Sequence, residues 1–294
     1  MALQQHQFCS GFHDMKEKIL KIAQNDPRIR AVLLNGSRAN PNVKPDPYQD
    51  YDIMWIVEDL PSFLDDRSWL SVFGKPFLQQ FPDDTAIGIA APKLKEKVSY
   101  TILTIFEDGK RLDLTLFPKE KFDTHFEQDS LTKVWLDKDD LFADIAESSD
   151  KDYHVPNPDQ QQFDEVSNEF WWTITYAAKG LRRNELIYAK DMLETVVRPM
   201  FYRMFSWNIA YEHQFSVNIG KSGKFARKYL HPALHEKILN TYSGADPENN
   251  WKALFLMADI FKHEQLKLAK RLDFSVNRQE AENSLTILQQ FYRN

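Results

Sequence analysis

The sequence predicts an α+β protein: a mixed β-sheet flanked by helices in the N-terminal half, followed by a helical bundle. Three observations carry this. Short runs of strand length, bounded by turn residues, fall before Pro118. Beyond Pro158, apolar side chains recur three and four apart over long stretches, the helical period. Between the two regimes, residues 150–158 read as a polar, proline-containing linker. The boundary placed there divides the chain into an N-terminal domain, 1–155, and a C-terminal helical domain, 156–294.

Phe12, Met15, Ile19, Ile22 and Ala23 predict a helix over 12–24, broken by Asn25-Asp26-Pro27. The apolar run 31–34 has the length of a buried strand and ends in Gly36-Ser37. A Pro/Asn-rich loop of twelve residues follows, and Asp50 and Asp52 open a second strand-like stretch, 53–57. Residues 60–73 predict a short helix that packs through Phe63, Leu64, Trp69, Leu70 and Phe73. Residues 81–97, rich in Pro, Asp and Lys, read as a surface connection. The clearest hairpin pairs 98–106 with 111–117 across Glu107-Asp108-Gly109-Lys110, and Pro118 ends its second arm. Residues 137–140 read as a charged connection.

In the helical half, Phe163, Val166, Phe170, Ile174, Ala177 and Leu181 predict a helix of about five turns. A second runs from Glu185 through Leu186, Leu193, Val197, Phe201, Met204 and Phe205, with Pro199 expected to kink or split it. Shorter helices are expected over 224–230, 233–242, 249–270 and 279–292.

Composition narrows the function classes. With 294 residues, 43% of them hydrophobic, the chain can bury a real core and is not a disordered segment. A net charge of −6 argues against a general nucleic-acid binder and suits a small cationic partner. The single cysteine, Cys9, offers neither an internal disulfide nor metal-site spacing, so a reducing cytoplasm is expected. No apolar run approaches a membrane span, and the N-terminal stretch lacks signal-peptide character. The oligomeric state is open, with a monomer favoured.

The chemistry concentrates in 31–52 and 110–116. Gly36-Ser37 suits close approach of backbone N–H groups to a phosphate. Asp50 and Asp52, at i and i+2 on an extended chain, share a face. Adjacent carboxylates repel unless a cation lies between them, and Mg²⁺ with a triphosphate is the natural guest. In 110–116, Leu112, Leu114 and Leu116 take one face while Arg111, Asp113 and Thr115 take the other, which leaves Asp113 free to join the first two carboxylates. Either fragment alone would read as a turn or a helix cap. His231 and His235 lie at i, i+4 but lack a third ligand, and read as surface residues.

Gly-Ser, a spacer of this length, Asp-x-Asp and a third carboxylate together resemble the nucleotidyltransferase superfamily. Further motifs sharpen the likeness: Val134 to Asp140, Asn168-Glu169-Phe170-Trp171, Lys179-Gly180-Leu181 with Arg183-Asn184-Glu185, Val197-Arg198-Pro199, Gly220-Lys221, and Lys224-Phe225 with Lys228-Tyr229-Leu230. With these the chain resembles the aminoglycoside 6-adenylyltransferases, the streptomycin-modifying type, over essentially its whole length. The resemblance implies a nucleotidyltransferase domain that transfers AMP from ATP to a streptomycin hydroxyl. It implies two Mg²⁺ ions held by Asp50 and Asp52, with Asp113 either a further ligand or the general base. Gly36 and Ser37 would hold the outer phosphates, with Arg38 assisting or forming a surface salt bridge. Lys224 and Tyr242 resemble triphosphate-contacting positions, with Lys221 and Lys179 as rivals.

Streptomycin carries guanidinium groups, so its pocket needs carboxylates and ring faces. Glu165, Glu169, Trp172 and Glu185 are the candidates, with Trp171 beside them; at most one of the two tryptophans is expected to face the drug. Glu185 is favoured, its alternative role being a charge at a helix N-terminus. Two other functions compete: adenylylation of another small or macromolecular hydroxyl, and a non-catalytic nucleotide-binding relative. The second would be marked by loss of one of the three aspartates, and all three are present.

Overall fold

The computed structural model describes residues 15–84 and 98–293. The chain divides into two compact units, Met1–Asp152 and Tyr153–Asn294. Cys9, residues 12–14 of the first expected helix, and 85–97 of the expected surface connection lie outside the described residues.

The first unit runs α1 (residues 15–25), β1 (Ile29–Asn35), β2 (Tyr51–Val57), α2 (Leu60–Asp65), β3 (Pro76–Gln80), β4 (Tyr100–Phe106), β5 (Arg111–Pro118), α3 (Phe122–His125) and β6 (Lys133–Asp137). The strands form one mixed sheet in the order β3-β4-β5-β2-β1-β6. Its central pair, β2 and β5, is parallel, and the other pairs are antiparallel. Alternation along the strands sends Tyr51, Ile53 and Trp55 to the same core as Leu112, Leu114 and Leu116, which Met15, Ile19 and Ala23 of α1 cover. The opposite face buries Ile56 and Phe117 with Phe142, beneath Phe122 and Phe126, whose rings stack 4.7 Å apart. At the start of β2 and β5 this second face carries Asp52, Arg111 and Asp113.

The sheet holds two strands that the sequence did not announce. β3 is an edge strand whose apolar Phe77 and Leu78 point into solvent, so no buried face marked it. β6 occupies Lys133–Asp137, and the charged connection begins only at its end. The helix expected over 60–73 is broken in two. Asp66 is extended and its carboxylate accepts the Ser68 N–H at 2.8 Å, so the chain restarts as a 3₁₀ turn, Ser68–Phe73. Phe63 and Trp69 still pack on Trp55.

The second unit comprises α4 (Gln160–Arg182), α5 (Leu186–Met192), α6 (Arg198–Glu212), α7 (Pro232–Leu239), α8 (Pro247–Leu272) and α9 (Arg278–Arg293). Asp159 opens α4 with a capping box closed by Gln162. Phe170 of α4 stacks on Phe261 of α8 with ring centres 3.6 Å apart, at the middle of the core. The stretch is divided as expected: α5 ends at Met192, and Pro199 lies in the first turn of α6. The turn ahead of it, Leu193–Val197, widens to π geometry, and the Arg198 N–H reaches back five residues to the Leu193 carbonyl. Such a widened turn makes room for the proline ring against the preceding carbonyls. The helix expected over 224–230 is replaced by a 3₁₀ turn, Ala226–Lys228, which follows another at Lys221–Gly223. Ser222 and Gly223 both have positive φ, which an α-helix does not accept. No helix of the described residues is long and apolar enough to cross a membrane.

Candidate active site

Asp52 lies in β2 directly opposite Asp113 in β5. On parallel neighbours in register, both carboxylates leave the same face of the sheet. Asp50 precedes β2 by one residue and joins them. The Asp52 carboxylate accepts no hydrogen bond from any described residue. It is only partly exposed, and burial, reinforced by repulsion from Asp113 and Asp50, pushes its pKa from 3.8 up to about 6. Burial raises Asp50 as well, against the pull of Arg111.

β1 ends at Asn35, which pairs with Asp52, and the chain then turns through the 3₁₀ segment Gly36–Arg38. Gly36 has φ +67°, and a Cβ built on it would lie 2.3 Å from Asp52 Oδ2. Only glycine allows the backbone this close to the carboxylate. The Ser37 hydroxyl has no hydrogen-bond partner among the described residues, while its carbonyl accepts from the Gln49 side chain at 3.3 Å.

Arg38 does structural work beside the carboxylates. Its guanidinium donates to the Asp50 carbonyl at 2.9 Å and the Gln49 carbonyl at 2.7 Å, and lies 4.0 Å from the centre of the Tyr51 ring. It thereby ties the Gly36–Arg38 turn to the chain entering β2 and fixes where Asp50 stands. The loop between is braced by Asn42, which donates to Asp150 at 3.0 Å, and by Ser148, which donates to the Ala39 carbonyl at 2.8 Å.

Arg111 is the functional candidate to which the sequence reading gave no role. Its Nε and Nη2 donate to the two oxygens of Asp113, each at 2.7 Å, and its Nη1 lies 3.6 Å from Asp50 Oδ2. The signal was present, because Arg111 stands two residues before Asp113 and so shares its face.

The cluster is a hard, all-oxygen donor set of the kind a divalent magnesium ion takes. Among the described residues, no three His, Cys, Asp or Glu side chains stand grouped as a ready-made metal site. The excess negative charge, an unpartnered Asp52 and the glycine cradle against it nevertheless fit a cation.

In the helical unit, Glu165, Glu169 and Trp172, spaced four and three apart, stand exposed along one face of α4, and Tyr176 continues the stripe. Glu165 accepts from Gln161 at 2.8 Å and lines a polar cavity of about 430 Å³ together with Asn168 and Glu280. The two tryptophans separate. Trp171 is buried and its indole donates to Gln265 at 3.2 Å, whereas Trp172 is 62% exposed and donates to the Tyr176 hydroxyl at 2.6 Å.

Glu185 follows the end of α4. Asn184 takes left-handed φ, its N–H reaching the Leu181 carbonyl at 3.1 Å, and the Glu185 N–H reaches the Gly180 carbonyl at 2.8 Å. This is a Schellman ending, and it accounts for the asparagine at 184, while Gly180 lets Tyr188 and Ala189 pack close. The Glu185 side chain sits exposed at the N-cap of α5 and makes no capping hydrogen bond.

Tyr242 lies beyond α7, its ring 3.8 Å from the Arg198 guanidinium and its hydroxyl bonded to that of Tyr202. Arg198 is itself buried, paired with Glu194 and donating to Thr241 Oγ1 at 2.8 Å. Lys224, in contrast, is exposed and 5.0 Å from the Phe225 ring centre, with no ion pair among the described residues. Lys221 and Lys179 are exposed as well.

Comparison with known proteins gives the chain its family. Residues 12–291 match the family described as streptomycin adenylyltransferase. An aminoglycoside 6-adenylyltransferase of Bacillus subtilis (strain 168) is 41% identical over 250 residues, covering 85% of this chain and 87% of that protein. Its namesakes from Campylobacter jejuni and Staphylococcus aureus are 37% and 32% identical, over 87% and 85% of this chain and 87% and 88% of theirs. A crystal structure of an aminoglycoside 6-adenyltransferase from Bacillus subtilis aligns over 95% of this chain and 98% of its own, at 33% identity and a TM-score of 0.47.

Proposed function

The chain belongs to the streptomycin adenylyltransferase family, and on that footing we propose that it transfers AMP from ATP to a hydroxyl of streptomycin. The observation that carries the reading is the register of Asp52 against Asp113, with Asp50 beside them and the Gly36 backbone pressed against Asp52. The first unit is the catalytic domain, and the helical unit binds drug and nucleotide.

A hydroxyl attacks the α-phosphorus in line and pyrophosphate leaves, so negative charge builds on the phosphoryl oxygens and the leaving group. Asp50 and Asp52 would hold Mg²⁺, which when bound neutralises that charge and orients both reacting groups. The Gly36–Arg38 turn presents backbone N–H groups and the unpartnered Ser37 hydroxyl to the outer phosphates. Arg38, with its hydrogen bonds spent on the carbonyls of Gln49 and Asp50, keeps the entrance to β2 in place. Asp113 either completes the metal set or accepts the proton of the attacking hydroxyl. Glu165, Glu169 and Glu185 accept the guanidinium groups of the drug, with Trp172 offering a ring face. Tyr242 and Lys224 are the candidates for the triphosphate.

The test is release of pyrophosphate by purified protein with ATP, Mg²⁺ and streptomycin, with a kanamycin-type drug and RNA as controls. Turnover with streptomycin alone supports the reading. Turnover with RNA, or with neither drug, rejects it.

A further inference from the structure

The fork of Arg111 closes both oxygens of Asp113. Those are the atoms through which Asp113 would ligate a metal or take a proton. A divalent cation on the remaining lone pairs would sit beside this guanidinium, so the two compete for one carboxylate. The arginine side chain is 41% exposed, so it can swing without opening the core. A triphosphate offers the guanidinium a rival partner, because planar bidentate pairing suits phosphate oxygens as it does a carboxylate and the triphosphate carries more charge in total.

We propose that Arg111 alternates between Asp113 and the triphosphate of the nucleotide. Before nucleotide arrives it holds Asp113 and screens Asp50, and the arriving phosphates draw it away and release Asp113 to act. The site is thereby completed only when nucleotide is present. This rests on the reading of Asp50, Asp52 and Asp113 as the catalytic carboxylates.

The experiment is Mn²⁺ binding to the nucleotide-free protein, followed by the electron paramagnetic resonance of free Mn²⁺, with circular dichroism as a check on folding. Arg111→Gln frees Asp113 and tightens Mn²⁺ about fivefold, the size of a half-exposed ion pair. Arg111→Lys keeps the charge but cannot span both oxygens, so it tightens Mn²⁺ roughly twofold. Adding Asp113→Asn to Arg111→Gln removes the gain, and in both single variants the KM for ATP rises. Wild-type affinity in Arg111→Gln overturns the proposal. So does a gain in Arg111→Gln with none in Arg111→Lys, which would reflect net charge alone. If every variant ignores Mn²⁺ and the wild type shows no turnover, the catalytic reading falls too. A wild type that turns over while Mn²⁺ binding ignores Arg111 removes the alternation alone.

Discussion

Asp52 and Asp113 face each other across the parallel pair β2 and β5, two carboxylates in register with no donor among the described residues directed at the first. Such an arrangement costs folding stability. Burial and its acidic neighbours raise Asp52 from 3.8 to about 6, so the folded state favours the neutral acid. The stability it allows is fully present below the unfolded value and declines as pH rises through 4 to 6. Above that window the protein carries a charge it would hold better protonated.

Asp52→Asn therefore raises the melting temperature at pH 7.5 by a few degrees, on the order of 1 kcal/mol, and the difference fades below pH 4. The same variant loses adenylyl transfer by about a thousandfold or more. Thermal unfolding at several pH values and a pyrophosphate assay measure the two effects. A variant less stable than wild type at pH 7.5 would mean that an unseen partner holds the carboxylate.

Gly36→Ala combines two faults. A positive φ is strained for alanine, and its Cβ would collide with Asp52 Oδ2. The expected result is about 1–2 kcal/mol of destabilisation, together with a loss of kcat larger than that explains. Denaturant titration and steady-state kinetics separate the two. Full activity would show that the turn has room to move away from Asp52.

Much of this site was legible because it depends on alternation. Residues 111–116 put Asp113 opposite the leucine face, and the hairpin fixed the second arm that pairs with β2. The α+β layout was legible for the same reason, through period two before the linker and period three to four after it. What escaped had no period to show. β3 exposes its apolar residues at an edge, and β6 is five residues long with no fully buried side chain. The 3₁₀ turn just before Lys224 holds Ser222 at positive φ, a conformation that serine rarely announces. Arg111 was visible as a face-mate of Asp113, but its fork depends on side-chain reach, which spacing does not encode.

Arg198 tests the helical unit. It is buried against Glu194, Thr241 and the ring of Tyr242. Arg198→Ala leaves Glu194 without its partner and frees the segment bearing Tyr242, at a cost of about 3 kcal/mol. Arg198→Ala combined with Glu194→Ala should cost less than the sum of the two single changes. Chemical denaturation of the four proteins gives that coupling, and strict additivity would remove the pair from the core's support.

The tryptophans of α4 should part in their effects as they part in space. Trp171→Ala opens a cavity beside Phe170 and Phe261 and costs about 3–5 kcal/mol. Trp172→Ala, on the exposed face with Glu169, costs little stability. If that face takes the drug, Trp172→Ala weakens streptomycin binding by roughly tenfold while ATP binding holds, and Glu185→Gln follows the same pattern. Calorimetric titration of each ligand decides the matter. Equal losses for drug and nucleotide, or none for either, would place the guanidinium-binding carboxylates elsewhere on the helical unit.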